Sequence, residues 1–196
     1  MEKTAADSLK KLYERYANEV TSVDHEYDFQ FVFSDGLMKK NIMLIGEAPG
    51  KDEVEQKKPF VGMAGGKLKQ FMDSLSLERQ DIFITNAIKY RLYDKNAKTG
   101  RMKNRPASKK EIEQGMAYLE NEIEIVRPKI ILTLGNVPLH ALTKDFSMTV
   151  GMCHGQKLDY KGIIHIPLYH PASLIYNKNL EKVFQEDLKT VKSLII

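Results

Sequence analysis

Three features of the chain predict an α/β fold, a three-layer α/β/α domain around a mainly parallel four-stranded central sheet. Short apolar runs recur, each too short for a helix and each ended by glycine, asparagine or proline. Between them lie segments with apolar residues at helical spacing. The repeated order of strand then helix places successive strands parallel and covers both faces of the sheet.

The chain of 196 residues is long enough for one stable core, so residues 1–196 are expected to form a single domain. With 42% hydrophobic and 29% charged residues, its composition is that of a globular protein. No apolar run reaches the length of a membrane span, so no membrane partner is expected. Met1-Glu2-Lys3-Thr4 leads into a charged helix, not a secretory leader. The single cysteine, Cys153, excludes an internal disulfide and any all-cysteine metal site, which points to an intracellular (cytoplasmic) setting. A net charge of +4 permits binding to nucleic acid without establishing it.

The elements follow in order. Asp7–Val20 places Leu9, Leu12, Tyr13 and Tyr16 on one helical face. Tyr27–Phe33 alternates aromatic and polar residues and predicts a short edge strand, closed by the turn signal Ser34-Asp35-Gly36. Ile42–Ile45 is the first buried strand. It ends in Gly46-Glu47-Ala48-Pro49-Gly50, where two glycines and a proline preclude both strand and ordinary helix. Lys67–Leu77 is a helix with Leu68, Phe71, Met72 and Leu75 inward, and Asp81–Ile88 is the second strand. Lys89–Pro106 reads as a long basic loop with seven Lys or Arg and one acidic residue. Ser108 caps a helix to Val126, with Glu111 completing a capping box. Lys129–Leu134 is the third strand and Val137–Leu142 a short helix. Gln156–Leu168 reads as two strands around Lys161-Gly162, and Leu180–Leu194 is the closing helix.

Chemistry gathers at the strand ends. One strand ends at Gly46–Gly50, the next at Thr85-Asn86, the third at Gly135-Asn136 and the last at His170-Pro171. Parallel strands bring these ends to one edge, where α/β folds bind ligands. Each residue alone is an ordinary loop or cap residue. Together a carboxylate, an amide, an imidazole and the loop-borne Phe60 can share one cleft.

These motifs resemble the uracil-DNA glycosylase superfamily, most closely its family 4 type. The resemblance runs from about residue 41 to 190. It is carried in register by Gly46–Gly50, Pro59-Phe60-Val61-Gly62, Thr85–Lys89, Asn104-Arg105-Pro106, Arg127–Ile130 with Leu134-Gly135, and Tyr169–Ala172. It implies excision of uracil from DNA with an abasic product, by a monomer that needs no metal or nucleotide cofactor. By the same resemblance Gly46, Ala48, Pro49 and Gly50 line the pocket, with Glu47 near the scissile bond. Phe60 stacks on the flipped base, Asn86 bonds its edge, and His170 lies beside O2. Ser173 and Leu174 belong to a loop that enters the duplex, and Lys89, Arg91, Lys103 and Arg105 meet phosphates. The chemistry is consistent: an amide offers one donor and one acceptor, matching uracil O4 and N3–H. A sibling activity on hypoxanthine or xanthine, and a non-catalytic binder of DNA or a uracil-containing nucleotide, are the alternatives.

The chain departs from the family at one point. Family 4 enzymes hold a four-cysteine iron–sulfur cluster, but Tyr90 and Gly115 occupy the two later cysteine positions and no cysteine precedes Gly46. The resemblance therefore implies the fold without the cluster, with Tyr13, Tyr16, Tyr90 and Tyr118 packing in its place. The first motif carries Ala48, as in family 4, where many superfamily members have a water-activating aspartate. Any general base is then Glu47 or no residue at all.

Overall fold

The computed structural model describes residues 3–37 and 39–195; Met1 and Glu2 of the expected N-terminal segment lie outside them. Helix α1 (Lys3–Val23) precedes strand β1 (Ile42–Gly46), then come α2 (Lys51–Gln56), α3 (Met63–Ser74) and β2 (Ile82–Asn86). A hairpin of β3 (Tyr93–Lys95) and β4 (Met102–Asn104) leads to α4 (Lys109–Val126) and β5 (Ile130–Leu134). The rest is α5 (Asn136–Thr143), α6 (Val150–Cys153), β6 (Leu158–Tyr160), β7 (Ile163–Leu168), α7 (Pro171–Tyr176) and α8 (Leu180–Ile195).

The main sheet has five strands in the order β2-β1-β5-β7-β6, not the four expected. The first four are parallel, and β6 is an antiparallel edge strand paired with β7. The fifth strand exists because Lys161 and Gly162, both at positive φ (51° and 82°), form the tight two-residue turn that suits a hairpin. Tyr27–Phe33 is not a sheet strand; the segment Phe31–Asp35 pairs with the sheet side through single bridges, Phe31 to Tyr90 and Asp35 to Ile84. The basic segment 89–106 is partly ordered as the β3–β4 hairpin.

Alternation along the strands divides the core between two faces. Met43, Ile45, Phe83 and Ile131 pack against α1, α4 and α5 through Leu12, Tyr16, Leu119 and Leu142. Ile42, Leu44, Ile84, Leu132 and Leu168 pack against α3, α7 and α8 through Leu68, Phe71, Leu174 and Phe184. Helix α4 starts as its sequence dictates, since Ser108 Oγ accepts the Glu111 N–H and Glu111 accepts the Ser108 N–H.

Candidate active site

A cavity of about 320 Å³ opens at the carboxyl edge of the parallel strands. Ala48, Gly50, Phe60, Asn86, Asn104 and His170 are among its lining residues. A larger open depression of about 1030 Å³ lies between α1 and the C-terminal end of α4. That one sits at the opposite edge of the sheet and gathers no comparable set of amide, imidazole and ring.

The floor is built on Gly46. A Cβ there would stand 2.4 Å from Asn86 Oδ1 and 2.4 Å from Phe60 Cζ, so only glycine lets amide and ring meet. β1 and β2 are in register here, Gly46 opposite Asn86. The pairing continues past the strand ends through Ala87 N–H to Gly46 O and Ile88 N–H to Glu47 O. Phe60 is buried and held at φ 52°, a conformation unfavourable for an aromatic residue. Arg79 sustains it: its guanidinium donates to the carbonyls of Pro59 and Phe60 and pairs with Asp35. Gly65 must be glycine for the same reason, because a Cβ would lie 2.3 Å from Phe60 O.

His170 closes the opposite wall, its ring centroid 6.1 Å from that of Phe60. Its Nδ1 accepts the Ala172 N–H at 3.2 Å, capping α7 ahead of Pro171 at the first helical position. Burial pushes the imidazole pKa down, with Glu53 opposing weakly, so the ring is neutral at pH 7. A neutral ring whose Nδ1 accepts carries its proton on Nε2, which leaves that N–H free to donate.

Glu47 does not line the cavity; its carboxylate accepts the Ala107 N–H at 3.3 Å. Burial raises its pKa, partly offset by that bond. Ala48 and Gly50 line the cavity, Gly46 lies against Asn86 and Phe60, and Pro49 is buried. Sequence reasoning missed Glu53, which accepts N–H groups of both Gly50 and Gly62 at 3.1 Å and staples the two sides of the cavity mouth. Its signal was present in the spacing Gly50-x-x-Glu53, that of a capping box. Asn104 was quoted only as part of a motif; it lines the cavity, and its Oδ1 accepts from Arg91.

Five of the six expected DNA contacts are internal or engaged. Lys89 is 1% exposed and bonded to Glu122, Thr85 and the Asn86 carbonyl, so it cannot reach a phosphate. Arg91 is buried beside Asn104. Arg105 forms a bidentate pair with Glu111. Leu174 is buried against the α3–α8 face, because α7 turns it inward, and Tyr176 is the strongly exposed residue of that helix at 82%. Ser173 donates its hydroxyl to the His170 carbonyl, and Lys103 is exposed on β4.

The expected cluster position does not suit thiolate ligation. The ring of Tyr90 packs on Phe29 at 4.8 Å, Tyr27 at 6.1 Å and Tyr16 at 6.4 Å. A Cβ on Gly115 would meet Ala87 O at 2.6 Å. The chain's single cysteine lies in α6 with its thiol on Thr149 O. Four cysteine ligands are missing, and these residues do not fit the group. Tyr16 and Tyr118 pack edge to face in the same cluster at 4.8 Å, and Tyr13 stacks on Phe33 at 4.5 Å.

Fold and cavity together define an α/β/α protein whose strand-end cavity gathers an aromatic ring, a side-chain amide and a neutral imidazole. A family model described as the uracil DNA glycosylase superfamily matches residues 33–192. The type-4 uracil-DNA glycosylase of Sulfurisphaera tokodaii is 36% identical over 198 residues, covering 97% of this chain and 86% of that protein. The one from Saccharolobus solfataricus is 38% identical over 166 residues, covering 81% and 73%. That of Pyrobaculum aerophilum is 32% identical over 187 residues, covering 92% and 91%. The chain belongs to the uracil DNA glycosylase superfamily, and among its relatives are these type-4 enzymes.

Proposed function

We propose that this chain is a monofunctional uracil-DNA glycosylase of base excision repair, acting as a single-domain monomer on the cell's DNA. The observation that carries the reading is the meeting of the Asn86 amide and the Phe60 ring over Gly46. Extruding a nucleotide costs a few kcal/mol of unstacking, and stacking on Phe60 returns roughly 1–3 kcal/mol. The Asn86 amide pairs with uracil O4 and N3–H, and cytosine presents the opposite polarity to the same amide.

The bond from C1′ to N1 breaks with its electron pair passing to uracil, which gathers negative charge at O2 and N1. The Nε2–H of His170 meets O2 as that charge grows and so favours the transition state over the ground state. Water adds to C1′ and its proton ends on the released base. Glu47, held on the Ala107 N–H, bears on the sugar only through the loop that carries it.

On the DNA side, the exposed cations of the hairpin, Lys95, Lys98, Arg101 and Lys103, take the phosphate role first expected of the buried pair Lys89 and Arg91. Tyr176, with Ile175, takes the place of Leu174 as apolar surface presented to the duplex. The test is alkali-revealed cleavage of a labelled oligonucleotide bearing one uracil, in single and double strands, beside hypoxanthine and xanthine substrates. Cleavage at uracil is expected. Cleavage only at a purine would change the substrate, and salt-sensitive DNA binding without cleavage at any base would make the chain a binder.

A further inference from the structure

The polar cluster behind Asn86 contains the most deeply buried ion pair among the described residues. Lys89 Nζ lies 2.6 Å from Glu122 Oε2, with side-chain exposures of 1% and 0%. The ammonium also donates to Thr85 Oγ1 at 2.7 Å and to the main-chain carbonyl of Asn86 at 2.5 Å. All three of its N–H donors are therefore used. Glu122 is held in turn by the hydroxyls of Tyr13 and Thr85, and the Lys89 N–H donates to Tyr16 Oη at 3.2 Å. Residues from α1, β2 and α4 thus converge on one carbonyl.

Burying two charges is costly, and an apolar pair of similar volume would often be as stable. Stability alone does not account for the cluster. Its geometric consequence does. Asn86 is the last residue of β2, an edge strand of the sheet, and the ammonium holds its carbonyl at that strand end. Fixing that carbonyl fixes the peptide plane of the residue whose amide reads the base.

We infer that Lys89, oriented by Glu122 and Thr85, is a positioning residue that acts through the Asn86 main chain to aim its side-chain amide at the flipped base. It touches no substrate. The inference rests on the glycosylase reading above.

A double-mutant cycle on the full chain tests it, read as single-turnover uracil release, with thermal unfolding recorded for each protein. Lys89→Met is expected to slow release by about a hundredfold, the order that a small misplacement of a reacting group produces. The same substitution in an Asn86→Ala background is expected to change the rate by less than about threefold, because its target is gone. Equal losses in the two backgrounds, or full activity of a folded Lys89→Met protein, would overturn the inference. Where Lys89→Met leaves Glu122 unpaired and the protein does not fold, Lys89→Met/Glu122→Leu removes both charges and carries the same two expectations. Lys89→Arg, which keeps the charge but not the compact ammonium, is expected to fall between wild type and Lys89→Met. Absence of uracil release by the wild type would defeat the parent reading, whereas release with independent losses at Lys89 and Asn86 defeats only this one.

Discussion

The two walls of the cavity are held in different ways. On the β2 side, the hold on Asn86 and Phe60 draws on residues far away in sequence, with Lys89, three residues from Asn86, itself held by Glu122. Glu122 is 33 residues from Lys89, and Arg79 is 19 residues from the Phe60 carbonyl it holds. On the β7 side, His170 is fixed locally, by the Ala172 N–H two residues on, Pro171 and a one-turn helix. On the proposed reading, base recognition is anchored in the core, while the donor to the leaving base caps a short helix. The proposed function then predicts that the Asn86 wall tolerates little displacement and that the His170 wall tolerates more.

The largest expected effect separates the walls directly. Asn86→Ala should lower single-turnover uracil release by about 10²–10³-fold, and restoring the amide with Asn86→Gln should recover little, since the wall cannot shift to meet it. His170→Asn keeps an Nδ2–H donor and can still cap α7, so it should retain more activity than His170→Ala. Equal activity of the two His170 variants would show that the local wall is as unyielding as the core one.

Next in size is Leu174. Buried at the base of α7, it should cost about 2–5 kcal/mol of stability when cut to alanine, measurable by denaturant unfolding. Tyr176→Ala should leave stability within about 0.5 kcal/mol and slow excision from duplex more than from single-stranded DNA. The reverse pattern would return the wedge to Leu174.

Acid should act on the β7 side. His165 donates or accepts at Thr133 in the core, and burial holds its pKa at about 4 against the usual 6.5. The unfolded chain takes up that proton first, so stability falls as pH drops through 6.5 toward 4, by about 3 kcal/mol at roughly 1.4 kcal/mol per unit. His170, also lowered by burial, adds in the same direction. His165→Leu/Thr133→Val, which removes the imidazole and its partner together, should flatten this part of the pH–stability curve; an unchanged slope would place the sensitivity elsewhere.

The smallest effect per residue concerns DNA affinity. Each of Lys95, Lys98, Arg101 and Lys103 that meets a phosphate should contribute about 0.9 to the slope of log affinity against log salt. Removing all four should reduce that slope by about 3–4 if each makes a contact. Lys89→Met should leave it unchanged.

The same contrast explains what the sequence revealed. The parallel strands, the loop at Gly46, the Ser108 cap and the break at His170-Pro171 are encoded within a few residues, and local pattern found them. The basic count of 89–106 was read correctly as composition, but composition does not say which side chains face inward. Lys89 and Arg91 precede the hairpin and lie under it, while Lys95 to Lys103 ride on it. Leu174 and Tyr176 differ only by their phase on α7, which depended on where that unanticipated helix began. The support of Asn86 by Glu122 and of Phe60 by Arg79 has no local signature, since neither partner is near in sequence.

The central claim is that the amide at the end of β2 reads uracil for excision. Release of labelled free uracil from a duplex with one uracil, by the wild type and by Asn86→Ala under single turnover, tests it most directly. The account predicts rapid stoichiometric release by the wild type and a loss of about a hundredfold or more in the variant. No release by the wild type, or equal release by both proteins, would contradict it.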